Sequence, residues 1–230
     1  MTQTVQAELL DDGSVATAKI ADGAVSTIKV ADGAITAVKL ASSSVTSAKL
    51  ATDAVTTAAI TDANVTPAKL SQPLTRGNVV ASTSGTSIDF TSIPSWVKRV
   101  TLSLNGVSLS GTALLRFRLG TSGGIATTGY NGAGSVISSG AATVNQTAGF
   151  DIYTNVPNAT YSYSGAIVFT LIDAANNVWA AQGVFASHSV AWTHTVAGVV
   201  ALSGVLTQAR LTTSNGTDTF DAGSVNILYE

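Results

Sequence analysis

The feature that most constrains this chain is a ten-residue repeat through its first seventy or so positions. From Asp12 the sequence reads DGSVATAKIA, DGAVSTIKVA, DGAITAVKLA, SSSVTSAKLA, TDAVTTAAIT and DANVTPAKLS. Two columns, five residues apart, hold branched apolar side chains in every repeat. These anchor residues are Val15, Ile20, Val25, Val30, Ile35, Leu40, Val45, Leu50, Val55, Ile60, Val65 and Leu70. Such regular spacing is typical of repeat architectures.

A spacing of five residues excludes simple continuous elements. In a strand, successive side chains alternate between faces, so anchors five apart would point in opposite directions. In an α-helix, five residues turn by about 500°, so the anchors would form no seam. The Asp-Gly pairs and the many Thr and Val residues also disfavour one long helix. We therefore expect each repeat to contain a turn at Asp-Gly and a short extended or single-turn helical piece.

The apolar anchors have little to cover them within one chain. The other side chains of each repeat are mostly Ala, Thr, Ser, Asp and Lys, so no repeat buries its Val and Leu alone. We expect the anchors to pack against further copies, so that residues 1–71 form the fibrous stalk of a homotrimer. A disordered linker and a single-chain solenoid are the alternatives. The even spacing argues against the linker, and the absence of aromatic residues argues against the solenoid.

The composition changes near residue 72. Residues 1–71 contain no aromatic side chain, whereas all fourteen Phe, Tyr and Trp residues lie from Phe90 onward. Pro73 and Gly77 mark the junction, so we predict a second domain over residues 72–230.

Charge and cysteine content narrow the classes of function. Charged residues make up 10% of the chain and the net charge is −2, which gives no clustered positive charge for nucleic acid or for an anionic membrane. So low a charge content suggests that other protein covers much of the surface. The absence of cysteine excludes thiolate metal sites and disulfides. We expect neither a secretory signal peptide nor insertion into a membrane.

The second region has the pattern of a β domain. Short alternating or apolar runs lie between clusters of Gly, Ser and Asn, at 100–105, 115–119, 165–172, 189–196 and 225–229. Alternation places Arg116 and Arg118 on one face, and Asn215-Gly216 predicts a β-hairpin. The predicted fold class is therefore mainly β, with a fibrous trimeric repeat stalk followed by a β-sandwich or jelly-roll-like C-terminal head.

Candidate ligand-binding residues cluster at one predicted turn. A sugar site needs an aromatic face for stacking, with amides or carboxylates within hydrogen-bond reach. The sequence offers Asp173, Asn176, Asn177 and Trp179 close together, and Tyr130 is a weaker candidate. The alternative for Trp179 is a position in the core or between subunits.

No constellation predicts catalysis. The acidic residues of the second region are scattered, although a fold could bring two together as in a glycoside hydrolase. His188 and His194 do not have a dense metal-ligand spacing, and the one metal alternative is a histidine gathered from three copies around an axis. We predict no catalytic residue, no metal site and no cofactor.

Several segments resemble bacteriophage tail-fibre proteins. The most specific is Ile93-Pro-Ser-Trp-Val-Lys-Arg99, followed by Gly106-Val-Ser-Leu-Ser-Gly-Thr112 and Thr128-Gly-Tyr130. The ending Phe220-Asp-Ala-Gly-Ser-Val-Asn-Ile-Leu-Tyr229 and the decapeptide repeats are also similar to that family. The resemblance covers most of residues 12–130 and 200–230, whereas residues 131–197 match no such pattern.

The resemblance implies a homotrimeric fibre that attaches to a host surface. A virion tail would hold the N-terminal end, and the head would bind a cell-surface glycan or another receptor. Related fibres of bacteria imply a second location, the outer surface of a bacterial cell. Two other functions stay open: a virion-associated polysaccharide depolymerase, and a purely structural collar or spacer fibre without a ligand.

Overall fold

A computed structural model describes residues 20–60, 64–66, 69–70, 72–138 and 140–230. The chain divides into two compact units, one ending at Asn64 and the other beginning at Val65. The predicted anchor Val15 lies outside the described residues.

Each described repeat of the first unit contains a tight turn and one turn of 3-10 helix. At the start of the repeat 22–31, the Ala24 N–H donates to the Ala21 carbonyl over 3.0 Å. Between them Gly23 has a φ of +74°, the left-handed conformation that this turn requires. The 3-10 turns span Thr27–Lys29, Ala37–Lys39, Ser47–Lys49 and Thr57–Ala59. The predicted turn at Asp-Gly and the single-turn helical piece are confirmed in these repeats.

The turn persists where glycine is absent. Ser43 and Asp53 occupy the equivalent positions with φ values of 63° and 61°. Short polar side chains tolerate this conformation better than branched ones do, because they hydrogen-bond locally. Position within the repeat therefore fixes the conformation more strongly than residue type does.

A lysine folds back onto its own repeat in three of the described repeats. The Nζ atoms of Lys29, Lys39 and Lys49 donate to the carbonyl five residues earlier, over 2.6–2.8 Å. The acceptor is a backbone oxygen, since the 3-10 turn directs the side chain back over its own repeat.

Fourteen strands form among the described residues of the second unit. They are β1 (Thr75–Arg76), β2 (Val80–Ala81), β3 (Ser87–Phe90), β4 (Arg99–Leu109), β5 (Leu115–Thr121), β6 (Gly124–Ile125), β7 (Tyr130–Ile137), β8 (Ala141–Gln146), β9 (Phe150–Asp151), β10 (Ser162–Asp173), β11 (Val178–Ser187), β12 (Thr193–Ala201), β13 (Gln208–Thr213) and β14 (Phe220–Tyr229).

The strands make two antiparallel sheets. The larger sheet has the order β1-β14-β4-β10-β11-β12-β7-β8, with β2 also paired to β14. The smaller sheet has the order β3-β13-β5-β6, with β9 also paired to β5. The prediction of a mainly β chain is confirmed.

One core of buried side chains draws on both sheets. Alternate residues of each strand point inward, as along β11, where Trp179, Ala181 and Phe185 are buried. Phe117 of the smaller sheet stacks on Phe185 of the larger one, with ring centroids 5.5 Å apart. The ring of Phe150 occupies space that side chains would fill at two glycines of the larger sheet, Gly132 and Gly198.

Most predicted strands are present, with two corrections. The run 189–196 becomes a strand only from Thr193, because Ser189 to Trp192 form a connecting loop. The Asn215-Gly216 turn exists, and Asn215 Oδ1 accepts the N–H groups of Thr217 and Asp218 over 3.0 Å each. The predicted hairpin is nevertheless wrong, since β13 belongs to the smaller sheet and β14 to the larger one.

Candidate functional site

The predicted ligand-binding turn is held together by its own side chains. Asp173 accepts the backbone N–H groups of Ala175 and Asn176 over 2.9 and 3.1 Å, and the Asn176 side-chain amide over 2.7 Å. These hydrogen bonds, first of all that from the Asn176 side chain, lower the pKa of Asp173. Asn177 completes the turn with a φ of 51°. The polar groups at this position stabilise a tight turn between β10 and β11.

The aromatic residues predicted to stack on a sugar are buried. Trp179 is 2% exposed and Tyr130 is 4% exposed, so neither offers a ring face to a ligand. The Tyr130 hydroxyl donates to the Ala126 carbonyl and accepts the Leu119 N–H, and burial raises its pKa to about 12. The ligand-binding assignment of Trp179 and Tyr130 is therefore corrected to the core. The alternation of 178–187, which places Trp179 in register with Phe185, is the signal that favoured this position.

The outward side of the larger sheet carries a broad surface that we name the uncharged face. It consists of outward-pointing side chains on β10, β11, β12 and β7, paired across the strands in register. Its members are Asn131, Ala133, Ser135, Ile137, Ala166, Val168, Thr170, Ala180, Gln182, Val184, Ala186, Thr193, Thr195, Ala197 and Val199. None of them is ionisable, and the largest are aliphatic.

A shallow groove runs along the uncharged face. Its open volume is about 580 Å³, and its lining includes Ala166, Val168, Gln182, Val184 and Thr195. Four strands about 4.8 Å apart and about eight residues long give a flat area on the order of 500 Å². Nine of its fifteen side chains are Ala, Val or Ile and six are polar but uncharged, so the face is mixed in polarity.

The outward side of the smaller sheet has the opposite character, and we name it the arginine face. It consists of Asp89, Arg116, Arg118, Asp151 and Arg210. Asp151 binds Arg116 through both carboxylate oxygens, at 2.6 and 2.8 Å from Nε and Nη2. Asp89 binds Arg210 in the same two-pronged manner. Such paired hydrogen bonds are the strongest that a guanidinium makes with a carboxylate.

Arg118 differs from its two neighbours. It lies directly opposite Arg210 across the strand pair and two residues from Arg116 on the same strand. Its Nε donates to the Ala148 carbonyl over 2.7 Å, and no carboxylate among the described residues pairs with it. Burial lowers the pKa of Arg118, and the charges of Arg116 and Arg210 lower it further. The predicted common face of Arg116 and Arg118 is confirmed, but their different pairing was not predictable from alternation.

The buried histidine has a structural role. His194 Nδ1 lies 2.8 Å from the Tyr153 carbonyl, and its Nε2 lies 2.7 Å from Ser187 Oγ. Because a carbonyl only accepts, Nδ1 carries the proton and the neutral ring accepts from the serine hydroxyl. Burial lowers the pKa of His194, which favours this neutral form. Both side chains are buried, so the pair links β11 and β12 away from solvent.

The carboxylates of the second unit are engaged in local contacts. Besides the two arginine partners and the turn residue Asp173, Asp218 accepts the Ala113 N–H and Asp221 accepts the Ser108 hydroxyl. Glu230 pairs with Arg99. Within the described ranges, no three His, Asp or Glu side chains cluster as metal ligands would, and no helix has the length and apolarity to cross a bilayer.

The predicted anchors of the repeats are half exposed in the single chain. The exposed fractions of eight anchors between Ile20 and Ile60 lie between 43% and 57%, whereas Val30 is partly buried. Two further apolar side chains lie outside the two predicted anchor columns. They are Ile28 and Val38, which are 95% and 96% exposed. They occupy the seventh position of the repeat as written from Asp12, where the other four repeats have Ala. That third apolar column is the sequence signal by which they were identifiable.

No family model, curated protein or solved structure matches the chain.

Proposed function

We propose that this chain is the subunit of a homotrimeric attachment fibre. Residues 1–71 form its fibrous stalk, and residues 72–230 form a head of β-sandwich or jelly-roll-like connectivity that binds a glycan or another receptor on a cell surface. The N-terminal end attaches to a virion tail or to the surface of a bacterium. The resemblance of the repeats and of several head segments to phage tail fibres supports this proposal.

One observation carries the proposal. Branched apolar side chains recur every five residues, yet in a single chain they are about half exposed, and Ile28 and Val38 are almost fully exposed. Each fully buried aliphatic side chain contributes about 1.5–3 kcal/mol relative to an exposed one. A chain that keeps these side chains in register over so many repeats therefore gains stability when further copies cover the anchors.

The uncharged face supports the same conclusion for the head. Interfaces between subunits are depleted of charge in their centres, and this face fits that composition, since Arg99 lies only at its edge, opposite Thr170 on β4. In the proposed trimer, two further copies of this chain cover the uncharged face, because the repeats of the stalk already use copies as partners. A trimer also presents three receptor sites at once, and this raises the avidity of weak individual sites.

The mass in solution tests the assembly. We expect three times the subunit mass of 23.1 kDa by light scattering coupled to size-exclusion chromatography. A stable monomer at micromolar concentration would contradict the proposal. Binding of the labelled protein to panels of bacterial cells and glycans then tests attachment. A trimer that binds none of them is a spacer fibre, and release of oligosaccharide from a polysaccharide would instead indicate a depolymerase.

A substitution in the repeats tests the role of the anchors. Ile35→Asp places a charge at an anchor that is 57% exposed in the single chain, so the chain itself tolerates it. Buried against copies, the same charge costs several kcal/mol. We expect Ile35→Asp to weaken the trimer, so that light scattering detects dissociation at a higher protein concentration than for the wild type. Ser42→Asp, at an exposed turn position of the next repeat, is the matched control and leaves the mass unchanged.

A further inference from the structure

Arg118 is the unbalanced charge of the arginine face. Three arginines and two aspartates give the five side chains a net charge of +1, and both carboxylates are already bound to Arg116 and Arg210. The Arg118 side chain is fixed by a hydrogen bond from Nε to the Ala148 carbonyl. Among the described residues, its two terminal nitrogens have no hydrogen-bond partner.

The surroundings of Arg118 favour an anion. Like charges directly opposite each other on adjacent strands are destabilising, and Arg118 faces Arg210 in this way. Partial burial adds to the cost, which appears as a lowered pKa of Arg118. A bound carboxylate would relieve both effects, because the planar guanidinium matches a carboxylate with two parallel hydrogen bonds.

We propose that Arg118 binds the carboxylate of an acidic sugar, so that the ligand of the head is a surface polysaccharide containing uronic acid. This inference rests on the proposed attachment function and names its ligand class. The charge balance favours a carboxylate over a phosphate monoester: one negative charge neutralises the face, whereas a dianion leaves it negative beside Asp89 and Asp151. Asp89, with its side chain one-third exposed, lies in the same cross-strand row and can accept hydrogen bonds from sugar hydroxyls.

A pair of polymers that differ only in charge tests the proposal. At about 0.15 M salt, the full-length protein is passed over immobilised polygalacturonate and over the same polymer with its carboxylates methyl-esterified. We expect at least about tenfold weaker binding to the ester, because a charge-assisted hydrogen-bond pair is lost. Equal binding to both polymers, or no binding to either, would overturn the proposal.

Two variants locate the site. Arg118→Gln removes the charge but keeps a polar side chain, and we expect it to lower polygalacturonate binding by at least about tenfold. Arg76→Gln, an equal loss of charge at an exposed position of the larger sheet, is the control and keeps wild-type binding. Circular dichroism and thermal unfolding of both variants show that the fold is retained. Unchanged binding by a folded Arg118→Gln variant would overturn the assignment.

Competition separates the sources of negative charge. We expect soluble galacturonate oligomers to displace the protein at lower concentration than inorganic phosphate does. Stronger competition by phosphate would overturn the carboxylate assignment. The mass and cell-binding experiments keep the two proposals apart: a trimer that binds cells but ignores uronate refutes only this inference, whereas a monomer that binds uronate through Arg118 refutes only the fibre.

Discussion

The two outward faces of the head are built from the same strand alternation but carry different chemistry. The uncharged face presents Ala, Val, Thr, Ser and amide side chains over four adjacent strands. The arginine face concentrates three of the chain's five arginines on two strands. A fold needs only one buried side of each sheet, so the opposite sides are free to differ.

The difference shows that the burial of the core does not set the chemistry of a sheet's outer side. Inward positions of both sheets are filled by Phe, Leu, Ile and Val. Outward positions separate by charge, which is what distinct partners require: a charge-depleted surface suits protein, and a guanidinium row suits an anion. The proposed contacts between copies use one face, and the proposed ligand binding uses the other.

The largest expected effect comes from placing a charge on the uncharged face. Val184 is 59% exposed, so Val184→Glu leaves the single-chain fold intact. In a trimer that uses this face, several carboxylates would be buried without partners, and association would weaken on the order of 10,000-fold. Light scattering over a dilution series measures the change.

The matched control for Val184→Glu is Ser87→Glu, at an exposed position on the smaller sheet. We expect this variant to keep the mass of the wild type at every dilution. Retained association of Val184→Glu would contradict the assignment of the uncharged face to contacts between copies.

An intermediate effect is expected within the arginine face. The side chains of Arg116 and Asp151 are 16% and 10% exposed, so Asp151→Asn leaves a largely buried guanidinium unpaired. We expect a loss of about 3 kcal/mol in the free energy of unfolding, measured by denaturant titration. In the more exposed pair, Asp89→Asn removes the partner of Arg210, and its loss stays below about 1 kcal/mol. Equal losses would show that burial does not separate the two pairs.

The smallest expected effect is a pH dependence that belongs to the core and to neither face. The folded chain holds the pKa of His194 below its usual value of 6.5, so the unfolded chain binds more protons as the pH falls through that value. The contribution is complete above the unfolded pKa and declines below it. We expect the melting temperature to fall between pH 7.5 and pH 5.5, with a shallower fall in His194→Gln. His188→Gln retains His194 and keeps the wild-type slope.

The strands of the head were predictable because their burial follows a period of two. The cores of β4, β5, β10 and β14 coincide with runs that alternate or are continuously apolar. The partner of each strand was not predictable in the same way. Asn215-Gly216 gives a correct turn, but local turn chemistry does not decide whether the next strand pairs with the last one or crosses to the other sheet.

For the candidate sites too, local sequence predicted less than long-range packing decides. Side-chain type alone favoured Trp179 as a sugar-binding residue, yet burial of its large ring stabilises the core. Arg118 carried no sequence signal beyond its shared face with Arg116, because its isolation depends on where Asp89 and Asp151 lie after folding. Ion pairs between segments that are distant in sequence decide which arginine has no carboxylate partner. The periodicity of the sequence does not predict those pairs.

In the three described repeats between Ala21 and Leu50, the turn and the lysine hydrogen bond both close within ten residues, as in the turn from Ala21 to Ala24 and the return of Lys29 to Ala24. No bond in that set depends on how many repeats precede or follow. A chain gaining or losing one decapeptide would satisfy the same donors and acceptors at every other unit. The repeat region can therefore become longer or shorter by ten residues at a time without a change in the fold of the C-terminal domain.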